Sequence, residues 1–125
     1  MDVIVPMKEN RDFRRVYARG RSYVSPSLVT YVLKNRNAAL RVGITTGKKV
    51  GNAVKRSRAR RVIREAFRLI EPLLREKTQK RYDFIFVARA KTPAMKSTEV
   101  YLRMEKQLLK RYATPANNQP DKIQK

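Results

Sequence analysis

Apolar residues recur along this chain with two periods, and the periods mark out its elements. Over residues 9–18, Phe13, Val16 and Tyr17 return at helical spacing. Asn10 is placed to cap that helix, and Gly20 to end it as a C′-type glycine. The period then shortens to two. Ser22-Tyr23-Val24 leads through a turn at Ser25-Pro26 into residues 27–33, where Val29, Tyr31 and Leu33 share one face and Leu28, Thr30 and Val32 the other. Beyond the polar turn Asn35-Arg36-Asn37, Leu40, Val42 and Ile44 alternate with Arg41, Gly43 and Thr45. This predicts another strand, paired with the preceding one as a hairpin.

Residues 47–52 form a loop, and Asn52 is placed to cap the helix that follows. Along that helix Ala59, Ile63, Ala66, Phe67, Ile70 and Leu74 make one apolar stripe at three- and four-residue steps. Pro72 has no amide hydrogen and predicts a kink or an end near Glu71. Residues 82–88, YDFIFVA, are almost continuously apolar, as in a central strand covered on both faces. Thr92-Pro93 interrupts the pattern. Ser97 or Thr98 then caps a last helix that buries Tyr101, Leu102, Met104, Leu108 and Leu109. From residue 113 the composition turns to Ala, Thr, Pro, Asn and Gln, which predicts a disordered basic and polar tail over 113–125. The sum is a single domain over residues 1–112 of the α+β class. It is a compact α/β sandwich of three helices and a mixed sheet of about four strands.

Charge changes the picture most. Lys and Arg number 31 against 10 Asp and Glu, a net charge of +21. Self-repulsion of that size destabilises a compact state, and a polyanion relieves it. A basic proteome would also give basic proteins, but here the cations cluster. The chain has no Cys and no His, which removes disulfides, thiolate or imidazole metal sites, and a histidine base. No apolar run approaches the ~20 residues that span a bilayer. The first residues, MDVIVP, are too short for a signal-peptide core, so a cytoplasmic protein with no membrane partner is expected.

The cations concentrate on the helix over 52–71 and its entry loop. Arg58, Arg60, Arg61, Arg64 and Arg68 fall on one broad arc beside the apolar stripe, and Lys48, Lys49, Lys55 and Arg56 extend it. A solvated face usually mixes signs to gain i,i+4 pairs. Arg60, Arg64 and Arg68 are instead four apart and mutually repulsive. Guanidinium forks bind phosphate in bidentate fashion, so this surface is read as a nucleic-acid face, with nothing in the helix itself to separate RNA from DNA. Phe13 and Tyr17 lie four apart on the first helix, with Arg14, Arg15 and Arg19 beside them and Tyr31 on a strand. Such aromatics serve either as core or as a platform for unpaired bases.

The stretch KKVGNAVKRSRARRVIREAFR, residues 48–68, resembles the signature of the protein subunit of bacterial ribonuclease P. Asp12-Phe13 with Val16-Tyr17 and Arg19-Gly20, then Leu40-Arg41-Val42-Gly43, then the run from Tyr82-Asp83 to Ala88-Arg89, are similar to further segments of that family. The resemblance covers residues 8–111 in order. It departs at Ser57, where the family carries Asn between two arginines, so the amide's paired donor and acceptor are missing.

The resemblance implies a left-handed β-α-β crossover, against the usual hand. It implies a protein that binds a catalytic RNA and grips the single-stranded 5′ leader of precursor tRNA. The RNA, with magnesium in its own active site, removes that leader by endonucleolytic hydrolysis, and the protein alone binds no cofactor. Phe13, Tyr17 and Tyr31 would line the leader cleft with Arg14 and Lys49. Lys48, Lys55, Arg56, Arg58, Arg60, Arg61, Arg64 and Arg68 would face the catalytic RNA. In isolation, sulfate or phosphate would occupy the same cations.

The acids agree with a non-catalytic chain. Without His or Cys, a protein nuclease needs carboxylates with a metal, or a Lys or Tyr. The ten acids are scattered with no close pair, and Asp12 and Asp83 read as local charge partners. A ribosomal-type binding protein and a DNA-binding regulator share the charge and the size. The 48–68 signature favours the ribonuclease P reading.

Overall fold

A computed structural model describes residues 4–35, 40–77 and 81–112. The elements run β1 (Ile4–Pro6), α1 (Asn10–Arg19), β2 (Arg21–Val24), β3 (Leu28–Asn35), β4 (Leu40–Thr45), α2 (Ala53–Lys77), β5 (Arg81–Ala88) and α3 (Ser97–Met104). A π turn at Glu105–Leu109 carries α3 on into Lys110–Tyr112, so the third helix is one run. Four strands form the mixed sheet that the pattern predicts, and the three-residue β1 extends its edge, in the order β1-β4-β5-β3-β2. The β4-α2-β5 unit joins two neighbouring parallel strands.

The expected hairpin between β3 and β4 does not form. β3 pairs antiparallel with β2 and β5, while β4 pairs parallel with β1 and β5. The cause lies in β5, whose Phe84, Ile85 and Phe86 are all fully buried. A strand apolar on both faces needs cover on both and a neighbour on each edge, so it takes the centre and separates β3 from β4.

Alternation then divides the molecule into two layers. Leu28, Thr30 and Val32 of β3 and Phe84 and Phe86 of β5 face α2 and α3, forming the main core with Ile63, Phe67, Ile70, Val100 and Met104. Phe67 packs between Phe84 and Phe86 at centroid distances of 5.7 and 5.5 Å. Burying each such ring contributes about 2–3 kcal/mol. Ile85 faces the other way, into a smaller cluster with Val16 and Met7, flanked by Phe13, Tyr31, Leu33 and Val87.

Several local expectations shift. Asn10 is the first helical residue rather than the cap, and the Glu9 carboxylate before it pairs with Arg11 at 3.1 Å. Gly20 is extended (φ −75°), not left-handed. It is glycine because a Cβ there would lie 2.5 Å from the Val16 carbonyl oxygen and 2.9 Å from that of Val32. α2 does not end at Glu71 but runs through Pro72 to Lys77. Ile70 and Leu74 are buried on either side of the proline, and their packing offsets its local cost of about 3 kcal/mol. Neither Ser97 nor Thr98 caps α3; the Glu99 carboxylate accepts from the Lys96 amide at 2.8 Å. The inward face of the last helix also differs from the expectation. Leu102 is 53% exposed, whereas Gln107 is buried, accepts from the Thr30 hydroxyl at 2.6 Å, and donates to the carbonyls of Tyr23 and Leu28 at 3.1 Å. The Arg36-Asn37 part of the predicted turn and the 113–125 tail lie outside the described residues.

Candidate nucleic-acid interface

The entry to α2 is built from its backbone outward. Gly51 has φ 134°, a conformation that favours glycine, and Val50 is buried beneath the loop. Anchoring Val50 leaves Lys48 and Lys49 exposed. Asn52 caps the helix as predicted, its Oδ1 accepting the Lys55 amide at 3.0 Å. Of the predicted arc, Lys55, Arg58, Arg61, Arg64 and Arg68 are exposed, and Arg56 and Arg60 are half-buried. The apolar stripe on the far side, Ala59 to Leu74, is buried throughout.

Three of these arginines are held in place by the chain. Arg56 donates to the Gly51 carbonyl at 3.2 Å, and Arg60 to the Thr46 hydroxyl at 2.7 Å. Arg58 donates through Nε to the Pro93 carbonyl, which ties α2 to the turn at Thr92–Ala94. Ser57, the departure from the family pattern, is exposed, and its hydroxyl accepts weakly from Arg60 at 3.4 Å. Ser57, Arg58, Arg61 and Arg64 line a concavity of about 680 Å³.

The predicted aromatics come together on the opposite face of the sheet. The Tyr17 and Tyr31 rings meet edge to face at 4.8 Å, and Phe13 follows at 6.4 Å from Tyr17. Tyr17 hydrogen-bonds the Thr45 hydroxyl at 3.1 Å yet stays 39% exposed. Gly43 lets Phe13 lie against β4, since a Cβ there would sit 2.6 Å from the ring. Gly43→Ala is therefore expected to destabilise the fold by about 1–3 kcal/mol through overpacking, measured by urea unfolding. An unchanged midpoint would show that the ring moves aside freely.

Lys49 and Arg14 come from different elements. Arg14 is exposed on α1. Lys49 lines a cavity of about 500 Å³ with Val29, Val87, Arg89 and Lys91. Val29 and Val87 carry the Tyr31 face of the sheet onward, so Lys49 lies on this side. Arg89 and Lys91 are cations of this cavity that pattern reading did not single out. Their signal was the basic Arg89-Ala90-Lys91 run leaving the end of the central strand.

A buried ion cluster fixes α1 to the sheet. Asp83 is fully buried and accepts two bonds from Arg41, both 2.9 Å, and one from the Asn35 amide at 2.6 Å. Arg15 approaches the same carboxylate at 3.5 Å and Asp12 at 3.3 Å, while Arg41 reaches Asp12 at 3.4 Å. Burial opposes ionisation of Asp83. The hydrogen bonds from Arg41 and Asn35 and the charges of Arg41 and Arg15 outweigh that and hold its carboxyl below the usual carboxylate range. The Asp83 hydrogen bond in turn pushes the Arg41 guanidinium up. Asp12 and Asp83 are thus charge partners, as the scatter of acids suggested. Tyr112 closes the far end of the domain, 2.5 Å from the Tyr23 hydroxyl, with its phenol pushed up by burial.

The basic helix, the aromatic face and the parallel β4-α2-β5 unit coincide with a known family. The Ribonuclease P family model matches residues 4–113. The chain belongs to the bacterial ribonuclease P protein family. The ribonuclease P protein component of Clostridioides difficile (strain 630) is 47% identical over 83 residues, covering 66% of this chain and 70% of that protein. That of Clostridium novyi (strain NT) is 50% identical over 88 residues, covering 69% and 74%. Among solved structures, the Staphylococcus aureus RNase P protein superposes with a TM-score of 0.69 at 31% identity, covering 81% of this chain and 89% of that one. The Thermotoga maritima RNase P protein, 24% identical with a TM-score of 0.70 over 84% and 96% of the two chains, shares the fold. A ribonuclease P protein is the protein subunit of an endoribonuclease ribonucleoprotein of tRNA processing, so its partners are RNA. Among the described residues, no helix of this ribonuclease P protein is long and apolar enough to cross a membrane.

Proposed function

We propose that this ribonuclease P protein divides its two RNA contacts between two surfaces. The α2 arc and its entry loop, through Lys48, Lys55, Arg56, Arg58, Arg60, Arg61, Arg64 and Arg68, bind the catalytic RNA. Phe13, Tyr17 and Tyr31, with Arg14 and Lys49, hold the single-stranded 5′ leader of precursor tRNA between α1 and the sheet. The magnesium that drives hydrolysis sits in the active site of the RNA, and the chain's part is to bind and orient. Sulfate or phosphate occupies the same guanidiniums when RNA is absent, and the cytoplasm is the site of action.

The observation that carries this reading is the exposed Tyr17 ring set edge to face on Tyr31, on the sheet face that Lys49, Arg89 and Lys91 make cationic. Bases of any sequence stack on such rings, while cations follow the backbone. Reconstitution with a bacterial ribonuclease P RNA tests it. The protein is expected to increase cleavage of leader-bearing precursor tRNA at low magnesium, and no stimulation would overturn the reading. Tyr31→Ala separates the two surfaces. It is expected to weaken leader-bearing precursor by about tenfold, in line with roughly 1–3 kcal/mol per stacked base, and to leave mature tRNA unaffected. Equal losses for both ligands would make Tyr31 a packing residue.

A further inference from the structure

β4 sends side chains to both faces of the sheet. Gly43 and Thr45 meet Phe13 and Tyr17. Val42 and Ile44 point the opposite way, toward α2, and remain only half-buried. Their counterparts in the centre of the sheet, Val32, Phe84 and Phe86, are buried. α3 packs over β3 and α2 over β4 and β5, and among the described residues the outer flank of β4 stays open. What remains is a groove of about 440 Å³. Val42, Ile44 and Phe67 form its apolar floor, and Met7 lines the end where the chain leaves β1. Arg60, Arg64 and Arg68 line its other wall.

That wall is the repulsive row of the sequence, three arginines four residues apart, each about 6 Å further along the helix axis. Among the described residues none of the three forms an ion pair. We propose that this groove is a nucleotide pocket that takes one unstacked base of the ribonuclease P RNA subunit. The base lies on the apolar floor, and its phosphates meet the arginine row. The volume falls within the usual range for small-ligand sites, roughly 300–1,000 Å³. A nucleotide matches both walls at once, offering a π-face to the floor and an anion to the forks. A second copy of the chain brings the same +21 charge and is repelled. The proposal rests on the reading that α2 binds the RNA subunit, and it adds a base contact where that reading has only phosphate contacts.

Methyl NMR on the full chain tests the pocket directly. Titration with adenosine 5′-monophosphate is expected to give ring-current shifts at the Ile44 and Val42 methyls that ribose 5-phosphate does not reproduce. Shifts confined to Val29 and Val87, on the leader face, would overturn the proposal. Ile44→Trp then fills the groove from its floor. With RNA subunit alone, this variant is expected to bind about tenfold more weakly at an unchanged melting temperature. The reconstituted holoenzyme is expected to keep its preference for leader-bearing precursor over mature tRNA. Unchanged affinity for the RNA subunit overturns the pocket. A loss seen only with precursor assigns the groove to substrate and equally overturns the proposal. Failure of the wild-type protein to stimulate its RNA would instead sink the parent reading, whatever the titration shows.

Discussion

Asp83→Ala is expected to cost about 3 kcal/mol of folding stability, measured by urea unfolding at neutral pH. The substitution leaves the Arg41 guanidinium, 17% exposed, without the carboxylate it grips through two 2.9 Å contacts, and removes the 2.6 Å bond from the Asn35 amide. Removing one member of a buried pair costs far more than the pair itself contributes, because the survivor stays desolvated. Pairing Asp83→Ala with Arg41→Ala in a double-mutant cycle is expected to show coupling above about 1 kcal/mol. Additive losses would mean that the cluster is packing alone.

The same group sets the response to acid. The Asp83 pKa is lower folded than unfolded, where it lies near 3.9. Its stabilisation is therefore complete above that unfolded value and disappears as pH falls through the lower folded one. The wild type is expected to lose more stability between pH 7 and pH 3 than Asp83→Ala does. An identical acid loss in both would remove Asp83 from the account. Arg15 and Asp12 join α1 to this cluster, so loosening it is also expected to loosen the Phe13–Tyr17 side of the cleft.

The second large effect falls on binding and spares the fold. Arg61, Arg64 and Arg68 are exposed and, among the described residues, make no ion pair. Replacing all three with Ala is expected to keep or raise stability, since like charges one turn apart are removed and Ala is the best helix former. Affinity for the RNA subunit is expected to fall by about a hundredfold at low salt. The slope of log K against log salt should flatten by about 2, given roughly 0.7 counterions released per single-strand phosphate contact. A weaker affinity with an unchanged slope would mean that these arginines act through the fold and not through phosphates.

Much of the fold was legible because each element carries its own period. The α2 stripe from Ala59 to Leu74 could be read from its spacing, and all six of its residues are buried. The β3 faces and the two-sided burial of β5 were equally plain. Local chemistry was less certain wherever two devices compete for one end. Asn10, Ser97 and Thr98 are good cap residues, but Glu9 and Lys96 hold the cap positions, and side chains of Arg11 and Glu99 engage there instead. Leu102 and Gln107 changed places because Val100, Met104 and Leu108 set the buried face of the last helix, which takes in Gln107 one turn beyond Met104 and leaves Leu102 on the far side.

For the interface, the sequence by itself determined which residues are cationic, that the α2 cations share one arc, and that Phe13 and Tyr17 share a helix face. Periodicity settles such matters because it is local. Only the tertiary structure decided that β5 stands between β3 and β4, and most of the functional geometry follows from that order. It brings Tyr31 under Tyr17, turns Lys49 toward Arg89 and Lys91, and aligns Asp83 with Arg41. It also sets the half-buried Val42 and Ile44 in one groove with Arg60, Arg64 and Arg68. Strand order is set by which apolar faces must be covered together, a property of the whole sheet that no single segment carries.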